Sequence, residues 1–347
     1  MSSPSQVRIT GVGAEIPADV ITTAEVEERA GLRERFGLDP GWLERVTGVR
    51  ERRWAAPDVQ PSELAVAAGR QALVDANVDP LTIDTLIFAG ITRDCLEPAT
   101  ASPVAEALGA SKARVFDLVN ACNGLVDALD VGDSLIRSGK ARRVLVTTGE
   151  RASIFINWRA RTMEELLGAV AGLVAGDGGG AVVLEPTDDP ERGLRAREFR
   201  SDVTQWRHAV GLVFRPATQA CELCGSIFDR TLRCDGHMLD AAVFGLLFPT
   251  MEAVMRRTGW GYDDLDVVFC HQATKRFVEN ALPLLGAGAA VRGKLWPTAE
   301  RFGNTSTTSL PLAMAEAKVA GSLAPGTKVL LLAPSSGVSA AAVTMVW

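Results

Sequence analysis

The stretch Val119-Asn120-Ala121-Cys122-Asn123-Gly124-Leu125-Val126-Asp127 joins a strand-like apolar run, Val115 to Val119, to a helical pattern. From Leu125 to Ile136 the apolar residues recur at spacings of three and four, which is typical of the buried stripe of an amphipathic helix. Cys122 is therefore predicted at a helix N-terminus, where free backbone N–H groups and the helix dipole favour a nucleophilic thiolate. The alternative is that Cys122 simply packs in the core, as free cysteines commonly do.

The composition indicates a folded protein without nucleic-acid partners. Of 347 residues, 47% are hydrophobic and 22% charged, and the net charge of −6 comes with scattered Lys and Arg rather than a basic patch. The six cysteines are too few and too irregularly spaced for a disulfide scaffold. The first residues do not resemble a secretory signal, and the longest apolar runs, at 166–175 and 241–248, fall short of the roughly 18 residues that span a bilayer. We expect a cytoplasmic protein with no membrane span.

Short β-branched runs alternate with longer helical patterns, which predicts an α/β fold. The predicted strands are Val7 to Val12, Leu86 to Ile91, Val115 to Val119, Val144 to Thr148, Gly180 to Leu184, Val267 to Cys270, Lys328 to Ala333 and Ala340 to Val346. The predicted helices are one capped by Ser62 and ending near Asn77, one from Leu125, one from Leu239 to Arg257 and one from Leu310 to Ala320. The repeated order predicts duplicated βαβ-rich halves at 1–185 and 186–347, with an irregular excursion at about 190–235.

Three polar turns that follow strand-like runs each hold one reactive residue: Cys122, His271 in the segment 267–273, and Asn304 in the segment 302–306. Sites in open α/β sheets form at the C-terminal ends of strands, so we expect these residues to converge. The set suits acyl transfer, with Cys122 accepting an acyl group while His271 and Asn304 hydrogen-bond the oxygen that becomes negative. Taken singly, His271 is explained equally well as a core histidine and Asn304 as a turn residue.

A second group of residues has the ligand types of a zinc site. Cys221, Cys224, Cys234 and His237 show the two-residue gaps of tetrahedral zinc ligands, but the distance between the pairs is short for common zinc folds. The alternative, which we favour, is a set of thiols lining an apolar channel with no metal.

Several collinear segments resemble the β-ketoacyl-acyl-carrier-protein synthase III branch of the thiolase superfamily. They are Asn120 to Gly124, Gly176 to Ala181, His271 to Ala273, Gly303 to Ser306, and Trp42 to Arg52, which resembles the family's substrate-entrance segment. The resemblance implies a five-layer αβαβα thiolase fold, a tight dimer, and a Cys-His-Asn site at the bottom of a pantetheine tunnel. The glycine-rich segment at 176–180 is then a structural turn, and it lacks the Gly-Lys-Ser/Thr of a P-loop.

The same resemblance suggests further site residues. Trp42, Thr274 and Arg276 match positions that contact coenzyme A or pantetheine, and the backbone N–H groups of Cys122 and Ser336 match the oxyanion hole. No permanently bound cofactor is implied, because coenzyme A or phosphopantetheine thioesters are the substrates. The implied partners are acyl-CoA or an acyl carrier protein.

The segment Arg93-Asp94-Cys95-Leu96-Glu97-Pro98-Ala99-Thr100-Ala101-Ser102 is similar to the OleA-type enzymes, which join two acyl-CoA chains into a 2-alkyl-3-ketoacid by Claisen condensation. In those enzymes the glutamate that matches Glu97 crosses the dimer interface into the partner's site. An unactivated acyl thioester must lose an α-proton, which requires a base. The resemblance therefore predicts non-decarboxylative condensation, leading to olefins, ketones or β-lactones.

Two alternatives stay open. The segment 305–308 is closer to the decarboxylating synthases, which obtain their carbanion from a malonyl group, so a β-ketoacyl synthase III that uses malonyl carrier protein is the main one. The other is a subunit that lends Glu97 to a thiolase-like paralogue in a heterodimer instead of forming a homodimer.

Overall fold

The computed structural model describes residues 6–211, 213–214, 228–229, 231–286 and 288–347. The strands are β1 (Gln6–Glu15), β2 (Asp19–Thr22), β3 (Glu51–Trp54), β4 (Thr85–Phe88), β5 (Arg114–Asp117), β6 (Val144–Arg151), β7 (Asp177–Thr187), β8 (Gly193–Ser201), β9 (Ala209–Val210), β10 (Val213–Phe214), β11 (Phe228–Asp229), β12 (Arg233–Cys234), β13 (Val267–Cys270), β14 (Lys328–Ser335) and β15 (Ser339–Val346). The α-helices are α1 (Thr23–Ala30), α2 (Leu32–Phe36), α3 (Trp42–Thr47), α4 (Pro61–Ala76), α5 (Ala101–Leu108), α6 (Gly124–Arg137), α7 (Met163–Leu173), α8 (Gly236–Thr258), α9 (Lys275–Leu284), α10 (Gly288–Arg292), α11 (Ala299–Phe302) and α12 (Ser309–Val319).

Two mixed sheets form the framework. The first has the order β1-β7-β6-β4-β5, and the second has the order β13-β14-β15-β8. Parallel pairing occurs between β4 and both β5 and β6, and between β13 and β14. The first sheet is built from strands within 6–187, and the second is built from strands within 193–346. The division of the chain into two halves at residue 185 stays a prediction.

Alternate residues along the strands face different helix layers, as the two-residue period of a strand requires. In β4, Leu86 and Phe88 lie in the cluster with α4 and α5, whereas Ile87 lies in the cluster with α6 and α12. In β14, Leu331 faces this same central helix layer, and Leu330 lies in the cluster with α8 and α9. The α/β character and the five-layer αβαβα arrangement expected from the resemblance are thus confirmed.

The structure corrects several predicted elements. Ser62 lies inside α4, because Pro61 occupies the first helical position and Gln60 is the N-cap. The run Leu86 to Ile91 is strand only to Phe88, and the run Val115 to Val119 only to Asp117. The segment predicted to be an irregular excursion contains β8, an edge strand whose charged side chains hide the apolar alternation in the sequence.

Helix α8 is the one described helix that is long and apolar enough, by length and composition, to cross a membrane. In the fold its residues Val243, Leu247 and Met251 are buried in the cluster that includes Leu330 and Leu332 of β14. Its apolar surface is therefore used to cover the outer face of the second sheet.

Candidate active site

Cys122 lies in the tight turn between β5 and α6. As the apolar spacing predicts, α6 begins two residues after the cysteine, with Asn123 as its N-cap. Ala121 adopts a positive φ of 45°, a conformation that costs free energy for a residue with a Cβ and that re-aims the chain at the next residue. Asn123 donates a hydrogen bond from Nδ2 to the Oγ of Ser339 (2.7 Å), which fixes this turn against the start of β15.

The expectation that the helix terminus favours a thiolate is wrong for the resting state of Cys122. Burial raises the pKa of the thiol to about 11, and the charge of Glu150 acts in the same direction, although hydrogen bonding to Ser306 opposes them. The Sγ of Cys122 is 3.7 Å from the Oγ of Ser306. Cys122 is therefore a thiol at neutral pH, and it is able to act as a nucleophile only when a base takes its proton.

His271 directly follows β13 and continues its pairing, since its N–H donates to the carbonyl oxygen of Leu332 (2.8 Å). The side chain is buried, and burial lowers the pKa of the imidazole to about 4, so the ring is neutral at pH 7. A neutral imidazole has one donor and one acceptor nitrogen, and its neighbours decide which is which.

The hydroxyl of Ser309 decides the tautomer of His271. The Oγ of Ser309 donates a hydrogen bond to the carbonyl oxygen of Ser306 (2.8 Å). The same Oγ is therefore left to accept a hydrogen bond from Nδ1 of His271 (2.9 Å). This arrangement places the ring proton on Nδ1 and leaves a free lone pair on Nε2. Nε2 is then able to act as a base towards a thiol.

Asn304 is held between α11 and the 3₁₀ turn Ser306–Thr308. Its backbone N–H donates to the carbonyl oxygen of Val174 (2.8 Å), and its side-chain Oδ1 accepts from the N–H of Ser306 (3.0 Å). The Nδ2 group thereby remains as the donating end of the side chain. The preceding Gly303 has a φ of 65°, and a Cβ there would lie 2.2 Å from the carbonyl oxygen of Val174, so only glycine fits.

The side chain of Gln272, next to His271, holds the segment that precedes α11 and the turn of Asn304. Its Nε2 donates to the carbonyl oxygen of Trp296 (2.6 Å), while its Oε1 accepts from the N–H groups of Thr298 and Ala299 (3.1 and 3.3 Å). These contacts hold the segment that leads into α11 and Gly303. The motif at 271–273 thus contributes a positioning residue as well as the imidazole.

Cys122, His271 and Asn304 line one cavity of about 660 Å³. The three turns that sequence places far apart are therefore brought to one chamber. Ser306, Ser335 and Ser336 line the same chamber, and much of the remaining wall is apolar, including Phe155, Leu232 and Val243. A chamber of this kind accommodates an acyl chain next to a nucleophile.

Glu150 is a buried acidic residue next to the site that sequence analysis did not identify. Glu150, at the end of β6, is inaccessible to solvent and accepts hydrogen bonds from the N–H groups of Ile91 and Thr92 and from the hydroxyls of Thr92 and Thr307 (2.6–3.0 Å). Burial raises the pKa of this carboxyl group, and the hydrogen bonds counteract the shift. Glu150 connects β6 to the turn that carries Asn304 and Ser306.

The predicted substrate contacts fall at different places. Thr274 and Arg276 line the cavity, whereas Trp42, the first residue of α3, is absent from its wall and packs half-buried against the cluster that includes Val26 and Ala30 of α1. Arg276 is held by Glu279 (2.5 Å) and by the carbonyl oxygen of Arg45 (3.1 Å). The roles of these residues in binding coenzyme A or pantetheine stay predictions.

Ser336 lies in the turn between β14 and β15 and lines the cavity. The left-handed position of this turn is taken by Gly337, with a φ of 106°, so Ser336 needs no strained backbone. Glu97 is exposed and does not line the cavity of its own chain. Its side chain therefore serves a site only if it reaches the cavity of another copy.

The glycine-rich segment at 176–180 is not a turn. Asp177 starts β7, and its buried carboxylate accepts hydrogen bonds from the N–H groups of Ala55 and Ser153 and from the Ser153 hydroxyl (2.8–3.0 Å). At Gly176 a Cβ would come within 2.1 Å of the carbonyl oxygen of Phe302. The glycines permit this close approach of strand and site turn.

Of the four residues in the hypothetical zinc site, Cys221 and Cys224 lie outside the described residues. Cys234 is buried and lines the cavity, as the channel alternative predicts for it, while His237 is exposed in the first turn of α8. Within the described ranges no three His, Cys, Asp or Glu residues come together as metal ligands. The zinc site stays a hypothesis.

Comparisons with known proteins match the chain along its length. The family 3-oxoacyl-[acyl-carrier-protein] synthase III matches residues 116–203, and its C-terminal region matches residues 255–347. A curated β-ketoacyl-[acyl-carrier-protein] synthase III from Roseiflexus sp. (strain RS-1) is 35% identical over 342 residues, which cover 98% of both chains.

Solved structures extend the similarity to the fold. OleA from Xanthomonas campestris superposes with a TM-score of 0.87 at 26% identity and covers both chains completely. The 3-oxoacyl-[acyl-carrier-protein] synthase III from Aquifex aeolicus has a TM-score of 0.82 at 28% identity, over 98% of this chain and 100% of that one.

Proposed function

The chain belongs to the β-ketoacyl-acyl-carrier-protein synthase III family of condensing enzymes in the thiolase superfamily, and we propose that it joins two acyl thioesters by a non-decarboxylative Claisen condensation. The convergence of Cys122, His271 and Asn304 on one largely apolar cavity carries the assignment as a condensing enzyme, and the structural similarity to OleA, with a TM-score of 0.87, supports the non-decarboxylative form of the reaction. Acyl-CoA or an acyl carrier protein supplies the substrates, and the enzyme works in the cytoplasm.

The first step is acylation of Cys122. Nε2 of His271 takes the thiol proton, and the sulfur attacks the carbonyl carbon of the first acyl thioester. The backbone N–H groups of Cys122 and Ser336 stabilise the negative oxygen of the tetrahedral intermediate. The carbon–sulfur bond to pantetheine then breaks, and the departing pantetheine thiolate takes the proton from Nε2. The products are acyl-Cys122 and a free pantetheine thiol.

The second step is carbon–carbon bond formation. Glu97 of a second copy of the chain removes the α-proton from the second acyl thioester, and the resulting enolate oxygen accepts hydrogen bonds from Nδ2 of Asn304 and from His271. For this step the ring proton of His271 moves from Nδ1 to Nε2, and the hydroxyl of Ser309 turns away from the carbonyl oxygen of Ser306 to donate to Nδ1. The α-carbon attacks the carbonyl of acyl-Cys122, and the cysteine leaves with the proton held by Glu97. Water then hydrolyses the remaining thioester to a 2-alkyl-3-ketoacid.

A homodimer is part of this proposal. Glu97 is exposed and lies outside the cavity wall of its own chain, next to Leu96, which is 64% exposed. Among the described strands β5 is at the edge of the first sheet and pairs only with β4, and Val119, just beyond it, is 50% exposed and lines the cavity. A second copy that covers this edge hides apolar surface and carries a carboxylate towards the reacting thioester.

A second candidate is decarboxylative condensation with malonyl carrier protein. It is favoured by the identity of 35% with a relative named β-ketoacyl-[acyl-carrier-protein] synthase III. In this reaction carbon dioxide leaves the malonyl group and generates the enolate, so no general base is required and Glu97 has no chemical role.

Product analysis separates the two. The purified protein is incubated with acyl-CoA alone, and with acyl-CoA plus malonyl carrier protein. The proposal predicts 2-alkyl-3-ketoacid from acyl-CoA alone; release of carbon dioxide only in the malonyl reaction, with no product from acyl-CoA alone, would establish the decarboxylative alternative. The Cys122→Ala variant is the control and should be inactive in both.

A further inference from the structure

One carboxylate in the cavity wall has no place in the proposed chemistry. Among the described residues that line the chamber, Asp240 alone has an acidic side chain. It lies on the face of α8 that Gly236, Leu239 and Val243 also present to the cavity, at the helical spacing of three and four.

The carboxylate of Asp240 is without a hydrogen bond or ion pair in the described part of the chain. The other charged residue of the wall, Arg276, is engaged by Glu279 and by the carbonyl oxygen of Arg45. Burial raises the pKa of Asp240, the nearby charge of His237 opposes the shift, and the resulting pKa is about 6. The carboxylate is thus mainly ionised at pH 7, and it is partly exposed to the cavity in a largely apolar wall, where it is able to accept a hydrogen bond from a ligand.

We propose that Asp240 selects acyl chains that carry a hydroxyl group, which donates a hydrogen bond to the Asp240 carboxylate inside the cavity. This inference rests on the proposed function, because it takes the cavity as the acyl site. A hydroxyl bonded to a carboxylate forms a charge-assisted hydrogen bond. An ammonium group fits less well, since its desolvation in an apolar chamber offsets much of the attraction.

The test is direct binding in the Cys122→Ala background, where no acyl transfer occurs. The probes are a medium-chain acyl-CoA and its isomers that bear one hydroxyl at successive carbons, and calorimetry gives each dissociation constant. We expect one isomer to bind at least about ten-fold more tightly than the unsubstituted chain. In Asp240→Leu this preference should vanish, and in the nearly isosteric Asp240→Asn it should be reduced.

A matched control is Glu252→Leu, which removes an exposed carboxylate from the same helix, outside the cavity wall. It should leave the preference unchanged. Melting temperatures of all variants show whether each is folded, and the Asn variant keeps the test valid if the Leu variant is not.

Three results would overturn the inference. All isomers could bind equally well, or the corresponding aminoacyl-CoA could bind more tightly than the hydroxyacyl-CoA. The third is that Asp240→Leu weakens the binding of every acyl-CoA to the same extent, which would indicate a contact with pantetheine. Failure of the proposed function has a different signature. In that case wild-type protein forms no acyl adduct on Cys122, whatever the binding preference of the cavity.

Discussion

The Nδ1 of His271 lies 2.9 Å from the Oγ of Ser309, and that hydroxyl lies 2.8 Å from the carbonyl oxygen of Ser306. The chain of contacts directs the ring proton to Nδ1 and leaves Nε2 free to take the proton of a thiol. It connects the strand end that carries His271 to the turn that carries Asn304. Catalysis should therefore depend on a serine that does not itself touch the substrate.

Replacing Ser309 with Ala should slow acylation of Cys122 by roughly ten-fold to a hundred-fold, because the imidazole loses the partner that sets its tautomer. Stopped-flow release of coenzyme A measures the rate. Thr308→Ala is the matched control, since it removes a neighbouring buried hydroxyl that bonds to the carbonyl oxygen of Thr305 (2.7 Å) instead of to His271. An equal decrease of the acylation rate in both variants would indicate that Ser309 acts only through packing and does not set the tautomer of His271.

Glu150→Gln should destabilise the protein by about 1–3 kcal/mol, because the new amide group brings two donors into a pocket lined by donors. Guanidinium denaturation measures the change in free energy of unfolding. Glu185→Gln is the control, because its carboxylate pairs with Arg143 near the surface (2.7 Å) and its loss should cost about 0–1 kcal/mol. If Glu150→Gln lowered the free energy of unfolding no more than Glu185→Gln, the stabilising role of the buried Glu150 side chain would be contradicted.

The raised pKa of Cys122, about 11, predicts how the thiol reacts with iodoacetamide. The thiolate is the reacting form, and its fraction rises about ten-fold per pH unit below the pKa. The alkylation rate of the peptide that contains Cys122 should therefore keep rising from pH 7 to about pH 10. A rate that is already constant above neutral pH would instead indicate a thiolate–imidazolium pair at rest.

Glu97→Gln should preserve acylation of Cys122 and abolish condensation, because only the second step removes an α-proton, whereas His271 is the base of the first. Adduct mass and 2-alkyl-3-ketoacid yield are measured on the same sample. The control is Glu106→Gln, a change at an exposed glutamate of α5. Undiminished ketoacid from the Glu97 variant would exclude that residue as the base.

Sequence reasoning succeeded where local patterns decide the structure. The β-branched run Val267 to Cys270 is a strand with the predicted bounds, and Cys122 stands before a helix because the apolar stripe begins at Leu125. Cys122, His271 and Asn304 line one cavity, as predicted, but they do not meet at one edge of a single sheet. Cys122 follows β5 of the first sheet, His271 follows β13 of the second, and Asn304 follows helix α11 and not a strand.

The remaining features depend on distant contacts. Ser309 meets His271 across 38 positions and Glu150 meets Thr307 across 157, so no spacing in the sequence reveals either pair. The one available signal for Glu150 was a carboxylate directly after an apolar strand, which needs buried partners. The pKa of Cys122 was expected to fall at the helix terminus, but burial, which sequence does not report, has the larger effect.

The central claim is that Cys122 carries the acyl group, and intact-protein mass spectrometry after incubation with acyl-CoA tests it most directly. The account predicts one acyl adduct, mapped to Cys122, absent from Cys122→Ala and retained in Cys234→Ala, which removes the other described thiol of the cavity wall. No adduct on the wild-type protein, or an acyl group on Cys234 in place of Cys122, would contradict it.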